Sequence, residues 1–184
     1  VILGAILTQN TSWSNVKKAI KNLKQKKMLT PAAILKAKVE FLGELIRPSG
    51  YFNIKAKRLK NFTSWLFDNY SGSLSLMFKE PLHILRNQLL EVNGLGEETV
   101  DSILLYAGDK PVFVVDAYTR RIFAKLGIIS EDASYDEIQG LFMKNLPEDA
   151  VLFNEYHALI VAHGKRYYSG KKQERLCPLC KKFK

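Results

Sequence analysis

Two glycines one residue apart, in Val92-Asn93-Gly94-Leu95-Gly96-Glu97-Glu98-Thr99-Val100-Asp101, separate two stretches with helical periodicity. The first helix closes at Leu90 and Glu91, and the second begins near Glu98 and runs through an apolar stretch to Ala107. Gly94 and Gly96 end the first helix, because glycine accepts positive φ cheaply and leaves room for a ligand against the backbone. The unpaired N–H groups that open the second helix can then face an anion such as a phosphate. Twenty residues after Gly96, Val114-Val115-Asp116-Ala117-Tyr118-Thr119-Arg120-Arg121 sets one carboxylate at the mouth of another helix.

Helical spacing dominates the rest of the chain. Thr30-Pro31 is a helix start, an N-cap followed by proline at the first helical position. Residues 55–69 place Ala56, Leu59, Phe62, Trp65 and Leu66 on one helical face, and Gly72 and Ser73 end the segment. Residues 117–126 follow Asp116. Ser134 with Glu137 forms a capping box for 134–145. Pro147 and Glu148 open a last long helix to about His163. The best strand signal, Pro111 to Val115, reads as a buried extended linker. The periodicity predicts an all-α protein of about nine helices. The basic tail 165–184 is expected to be mobile.

At 184 residues the chain is long enough for a real core, in one domain or two small lobes. No apolar run reaches the ~20 residues of a membrane span. The first residue is Val1 rather than Met, within what reads as an apolar helix, so further N-terminal sequence is expected. The net charge of +10 is segregated: residues 1–60 carry +11, residues 61–160 carry −8, and residues 161–184 carry +7. Two basic ends around an acidic middle suit a polyanion-facing surface, although Lys17, Lys18, Lys21 and Lys24 also fit a solvated helix face. The cysteines are Cys177 and Cys180, in Cys-Pro-Leu-Cys, and two thiols cannot fill a four-ligand zinc or iron–sulfur site. One closely spaced pair also makes no disulfide framework, which fits an intracellular setting.

The Gly94-Leu95-Gly96 hairpin with Val115-Asp116 resembles the helix-hairpin-helix DNA glycosylases of the endonuclease III type. Three further segments extend the likeness over nearly the whole chain. Ile6-Leu7-Thr8-Gln9-Asn10-Thr11 is similar to the family's early Gln loop. Arg47-Pro48-Ser49-Gly50-Tyr51-Phe52-Asn53-Ile54-Lys55-Ala56-Lys57-Arg58-Leu59 is similar to its second DNA-inserting loop. His157 to Gly164 is similar to the helix before its iron–sulfur loop. No single motif is specific; four in the right order are. The resemblance implies a two-lobed all-α fold with the active site in the cleft between the lobes. Residues 1–110 would form the six-helix barrel lobe with the hairpin, and 111–184 the second lobe. Members with a [4Fe-4S] cluster carry four cysteines, the first about four residues after the His-Gly. Tyr168 stands there, so an intact cluster is not expected, and no other metal or cofactor is.

The resemblance assigns roles that each compete with a plainer one. Asp116 becomes the carboxylate that stabilises positive charge on the sugar; as an Asp before a helix it is equally an N-cap. Glu98 stands where bifunctional members place a Schiff-base Lys, and a carboxylate cannot form that imine. It is otherwise a first-turn acid favoured by the helix dipole. Gln9 and Tyr51 would fill the gap left by a flipped nucleotide, or be a helix-end polar residue and an exposed loop aromatic. Gly94, Gly96 and Thr99 would contact DNA. Trp13 would stack on a cationic base, or pack in the core. Lys165 would approach the base pocket, or cap its helix.

Glu98, Trp13, the Arg-Pro-Ser-Gly loop and the missing cysteines together resemble the 3-methyladenine branch. The expectation is an enzyme: a monofunctional glycosylase that removes 3-methyladenine or another alkylated purine from double-stranded DNA. It would act as a monomer, without a membrane, in the cytoplasm or at the nucleoid of a prokaryote. A glycosylase for uracil, thymine mismatch or oxidised base, and a non-catalytic DNA-binding module, are the alternatives.

Overall fold

The computed structural model describes residues 1–168 and 177–182. Among them lie twelve α-helical segments and no strand. The count exceeds the expected nine because several helices are only one or two turns long, too short for periodicity to register. The chain forms two compact units, Val1–Ile103 and Leu104–Lys184. No helix of the described residues is long and apolar enough to cross a membrane.

The first unit contains α1 (Ile2–Thr8), α2 (Trp13–Gln25), α3 (Pro31–Lys36), α4 (Val39–Ile46), α5 (Phe52–Tyr70), α6 (Leu74–Met77), α7 (Leu82–Leu90) and the start of α8 (Glu97–Gly108). Thr30 caps α3 as its sequence requires, accepting from the Ala33 N–H at 3.3 Å. The face predicted for α5 is the buried one: Ala56, Leu59, Phe62 and Leu66 are all enclosed, and α5 packs along α3 and α4. Ile6, Leu7, Val16, Ala19, Leu23, Leu42 and Ile46 complete this core at zero exposure. Burial of each Val, Leu, Ile or Phe among them is worth roughly 1.5–3 kcal/mol, so the unit holds a core of its own.

The second unit contains the end of α8, then α9 (Ala117–Lys125), α10 (Tyr135–Asn145), α11 (Ala150–Tyr167) and a short helix, Pro178–Lys182. The segment before Asp116 is extended and buried, as its sequence predicts, with Val112, Phe113, Val114 and Val115 enclosed. A buried segment without a strand partner needs other partners for its peptide groups. The Gln139 amide donates to the Phe113 carbonyl at 2.6 Å, and the Val115 N–H donates to the Tyr135 hydroxyl at 3.3 Å. Phe113 stacks on Phe142 with centroids 4.0 Å apart and meets the edge of Phe153 at 5.7 Å. The linker is therefore the middle of the second core, and it delivers Asp116 from a rigid base.

The expected capping box on α10 is present, with the Ser134 N–H donating to Glu137 Oε2 at 2.7 Å and the Glu137 N–H to Ser134 Oγ at 3.2 Å. The last long helix departs from expectation at both ends. It starts at Ala150, because the Asp149 carboxylate takes the Val151 and Leu152 N–H groups and caps it there. It also runs past His163 to Tyr167, with Gly164 inside it. A Cβ on Gly164 would lie 2.3 Å from the Tyr118 ring, so this glycine marks close packing of α9 on α11 rather than a helix end. Of the tail expected to be mobile, residues 169–176 and 183–184 lie outside the described residues.

Candidate functional site

The hairpin is built as its sequence implies, but its two glycines do different work. Gly94 sits at φ +95°, a conformation that other residues rarely adopt, and a Cβ there would meet Arg58 Cγ at 2.4 Å. Gly96 has no positive φ, and a Cβ on it would touch nothing within 4 Å. Its carbonyl accepts from the Thr99 and Val100 N–H groups at 3.0 and 2.9 Å, which starts α8. Gly94 is required by the fold of the turn. Nothing within the described residues requires a glycine at 96.

Gln9 and Thr99 belong to the hairpin's support. The Gln9 amide donates to the Gly94 carbonyl at 3.1 Å and to Thr99 Oγ1 at 2.8 Å, and Arg58 donates to Gln9 Oε1. Asn61 adds a bond to the Asn93 carbonyl at 3.0 Å. To enter a duplex, the Gln9 side chain has to exchange these three partners for the DNA. Beneath the hairpin, the buried Asp101 on α8 takes two bonds from Arg86 on α7, at 2.8 and 3.1 Å. Beside it, a cavity of about 300 Å³ is lined in part by Lys57, Arg58, Asn61 and Asn93. The surface around Gly94 is thus both concave and basic, which suits a phosphate.

Tyr51 is 67% exposed and sits in the left-handed region at φ 46°, directly before α5. A non-glycine residue at positive φ stores backbone strain, and here the strained turn carries an exposed tyrosine. The turn is anchored by Lys55, which sequence reading passed over. Its ammonium is buried and donates to the Leu7 carbonyl at 2.9 Å and the Ser49 carbonyl at 2.6 Å. Those carbonyls lie just before Gln9 and Tyr51, so one cation ties both loops together. Burial, with the Arg58 charge second, pushes the Lys55 pKa down to about 8. Trp13 opens α2 half exposed, with the edge of its ring over Gly4, where a Cβ would lie 3.3 Å from it.

In the second unit, Asp116 is the N-cap of α9, as its position before a helix predicts. Its Oδ1 caps α9, accepting from the Thr119 N–H at 2.7 Å and the Thr119 hydroxyl at 2.9 Å. Its Oδ2 faces His157 Nε2 at 3.7 Å. His157 is buried on the inner face of α11, and its Nδ1 is bonded to the Tyr106 hydroxyl. Burial lowers the His157 pKa, with the Asp116 charge opposing. Burial, and then Asp116, push Tyr106 up to about 12. The sequence signal for His157 was its register: Phe153, His157, Ile160 and Gly164 share the buried face of one helix. Glu98 is exposed in the first turn of α8, in the first unit, and Lys165 is exposed in the last turn of α11.

The residues that would face an iron–sulfur cluster do not fit one. Tyr168 donates to Cys177 Sγ at 3.5 Å and lies 3.1 Å from Cys180 Sγ, and His163 Nε2 lies 3.3 Å from Cys177 Sγ. Two thiols, a phenol and an imidazole are not four thiolates. Among the described residues no group of three or more His, Cys, Asp or Glu is placed to hold a metal ion.

Known proteins resemble this chain in sequence and in fold. A protein of Methanocaldococcus jannaschii, named for DNA repair glycosylase function, is 52% identical over 97% of this chain and 82% of its own length. Endonuclease III of Thermotoga maritima is 31% identical over 98% of this chain and 78% of its own. The crystal structure of H. pylori 3-methyladenine DNA glycosylase bound to 1,N6-ethenoadenine superposes with a TM-score of 0.78 at 34% identity, over 89% of this chain and 83% of that one. A non-covalent endonuclease III–DNA complex shares the fold, with a TM-score of 0.80 at 23% identity. The model of the HhH-GPD superfamily of base excision DNA repair proteins matches residues 3–148. The chain, with its hairpin and its Asp116, belongs to that superfamily.

Proposed function

We propose that this DNA glycosylase is monofunctional and releases alkylated purines, 3-methyladenine first, from double-stranded DNA. The observation that carries the reading is Glu98 in the first turn after the hairpin, where bifunctional relatives would need an amine. The N-glycosidic bond breaks with its electron pair going to the base, and C1′ becomes cationic. The Asp116 carboxylate stabilises that cation. A water oxygen then bonds to C1′ and gives its proton to Asp116, leaving an abasic site. An alkylated purine starts with a positive charge and departs neutral, so no strong general acid is required. Half-exposed Trp13 gives such a base an aromatic face, and the 34% identity to a 3-methyladenine glycosylase supports the same choice. Tyr51 is the side chain presented for insertion, and the basic surface near Gly94 and Gly96 is where backbone phosphates would sit. The two cysteines Cys177 and Cys180 support the reading that the enzyme works without an intact iron–sulfur cluster.

The test is single-turnover base release. Methylated DNA should yield 3-methyladenine faster than a U·G duplex yields uracil. Trp13→Ala should reduce the first by about 1–3 kcal/mol of transition-state free energy, the scale of one lost stack. It should leave nonspecific affinity unchanged. Uracil or an oxidised base released in preference would favour an endonuclease III-like substrate, consistent with the 31% identity to that enzyme. No release from any lesion would leave a DNA-binding module.

Lyase chemistry is checked separately. Borohydride should trap no covalent adduct with abasic DNA, and strand breaks should appear only after alkali or heat. Efficient trapping would show that an amine such as Lys165 acts in place of Glu98.

The glycines give a third measurement. Gly94→Ala should cost about 1–3 kcal/mol of stability through backbone strain and the Arg58 contact. Gly96→Ala should melt within about 0.5 kcal/mol of the parent yet weaken binding to every duplex about equally, since phosphate contacts carry no sequence information. Unchanged affinity in Gly96→Ala would remove the phosphate role.

A further inference from the structure

His157 combines two properties that seldom occur together. It is 93% buried, and its Nε2 has no hydrogen-bond partner. A buried polar atom without a partner costs roughly 1–3 kcal/mol, so such a group calls for a reason. Its nearest charged neighbour is Asp116 Oδ2 at 3.7 Å, roughly half an ångström beyond the upper end of the N–H···O range. The titratable groups that face the ring are Asp116, from the start of α9, and Tyr106, from α8.

The proton's place on the ring follows from these two neighbours. With Nε2 bare, its lone pair would point at a carboxylate oxygen, which is repulsive. With the proton on Nε2, Nδ1 is left as an acceptor, and the Tyr106 hydroxyl beside it is a donor. Tyr106 keeps its proton throughout the working range, because burial and Asp116 push its pKa up to about 12. Both contacts agree on one tautomer.

We propose that Tyr106 and His157 are positioning residues for Asp116: Tyr106 holds the imidazole as the Nε2–H tautomer, and Nε2–H closes onto Asp116 Oδ2 when the substrate is bound. The proposal rests on Asp116 as the carboxylate that faces the sugar. Oδ1 is already held by Thr119, so a second bond at Oδ2 fixes the carboxylate plane. The donor must be neutral, since an imidazolium would oppose the sugar cation that Asp116 has to stabilise. Burial of His157 supplies that neutrality by lowering its pKa. The contact between Gly164 and Tyr118 keeps α9 against α11, which sets the spacing of the pair.

The experiment has an arm that needs no turnover. The chain has three histidines, His83, His157 and His163, so ¹⁵N-histidine spectra of the whole protein are readily assigned with His157→Gln. His157 should appear as the neutral Nε2–H tautomer at neutral pH and titrate below 6.5. Tyr106→Phe should raise the share of the Nδ1–H form, and Asp116→Asn should lower the titration midpoint further. A charged ring or an Nδ1–H tautomer at neutral pH overturns the relay.

The second arm is single-turnover release of 3-methyladenine against pH. His157→Phe should slow release about 10–100-fold at neutral pH, the scale of one hydrogen bond to a charged group. His157→Gln donates from a similar place and does not titrate. It should recover most of the rate and shed the part of the acid limb due to His157. Equal rates and equal pH profiles for the parent and His157→Phe overturn the proposal. If the parent releases no base, the functional reading fails, and the spectra decide the relay by themselves.

Discussion

Asp116→Asn should abolish base release while leaving a folded, DNA-binding protein. Asparagine caps a helix about as well as aspartate, and its carbonyl oxygen still accepts from the Thr119 N–H and hydroxyl. Helix α9 therefore keeps its start, and melting should shift little. What disappears is the negative charge facing the sugar as its cation develops. Losing one such preorganised group costs about 10²–10³ in rate or more. Duplex affinity should hold, because the basic residues that dominate it lie elsewhere in the chain. The checks are single-turnover release and a binding isotherm on the same preparation. Release within about tenfold of the parent would remove Asp116 from the centre of the reaction.

The largest effect on stability should come from Asp101→Ala. Asp101 has zero exposure and takes both Arg86 bonds on adjoining oxygens, a bidentate pair that joins α7 to α8 beneath the hairpin. Removing one member of a buried pair is more damaging than removing both, because the other stays desolvated after losing its two bidentate bonds. The expected loss is about 3–5 kcal/mol, toward the low end since the Arg86 side chain is 20% exposed. Replacing both, as Arg86→Met with Asp101→Leu, should recover much of that. Denaturant unfolding of the three proteins measures it. A loss under about 1 kcal/mol for Asp101→Ala would mean that the pair contributes little to the hairpin's support.

Lys55 responds to pH in a direction worth stating. Its folded pKa lies below its unfolded one, so the unfolded chain holds the proton more tightly between about 8 and 10.5. Its contribution to stability is greatest above that window and is lost as the pH falls across it, from about 10.5 to about 8. His157 follows the same sign lower down, with stability lost as the pH falls below 6.5.

Local chemistry by itself determined the helices, the two-glycine turn, the capping box at Ser134, the buried extended run before Asp116 and the absence of an amine at residue 98. Each of these depends on residues within a few positions of one another, where backbone sterics and side-chain caps act. The tertiary structure decided the rest. Gly164 reads as a helix end but lies inside α11, because the Tyr118 ring needs the space. Gln9 and Thr99 stand 90 residues apart, and only packing brings them within a 2.8 Å hydrogen bond. Nothing local to Lys55 signals its burial, yet it is enclosed and holds two loops by their carbonyls. His157 and Tyr106 lie 51 residues apart and meet at Asp116. Partners so distant in sequence are brought together only when the core packs, and the energy of a buried hydrogen bond or charge is set by that packing rather than by the residue's own neighbours along the chain.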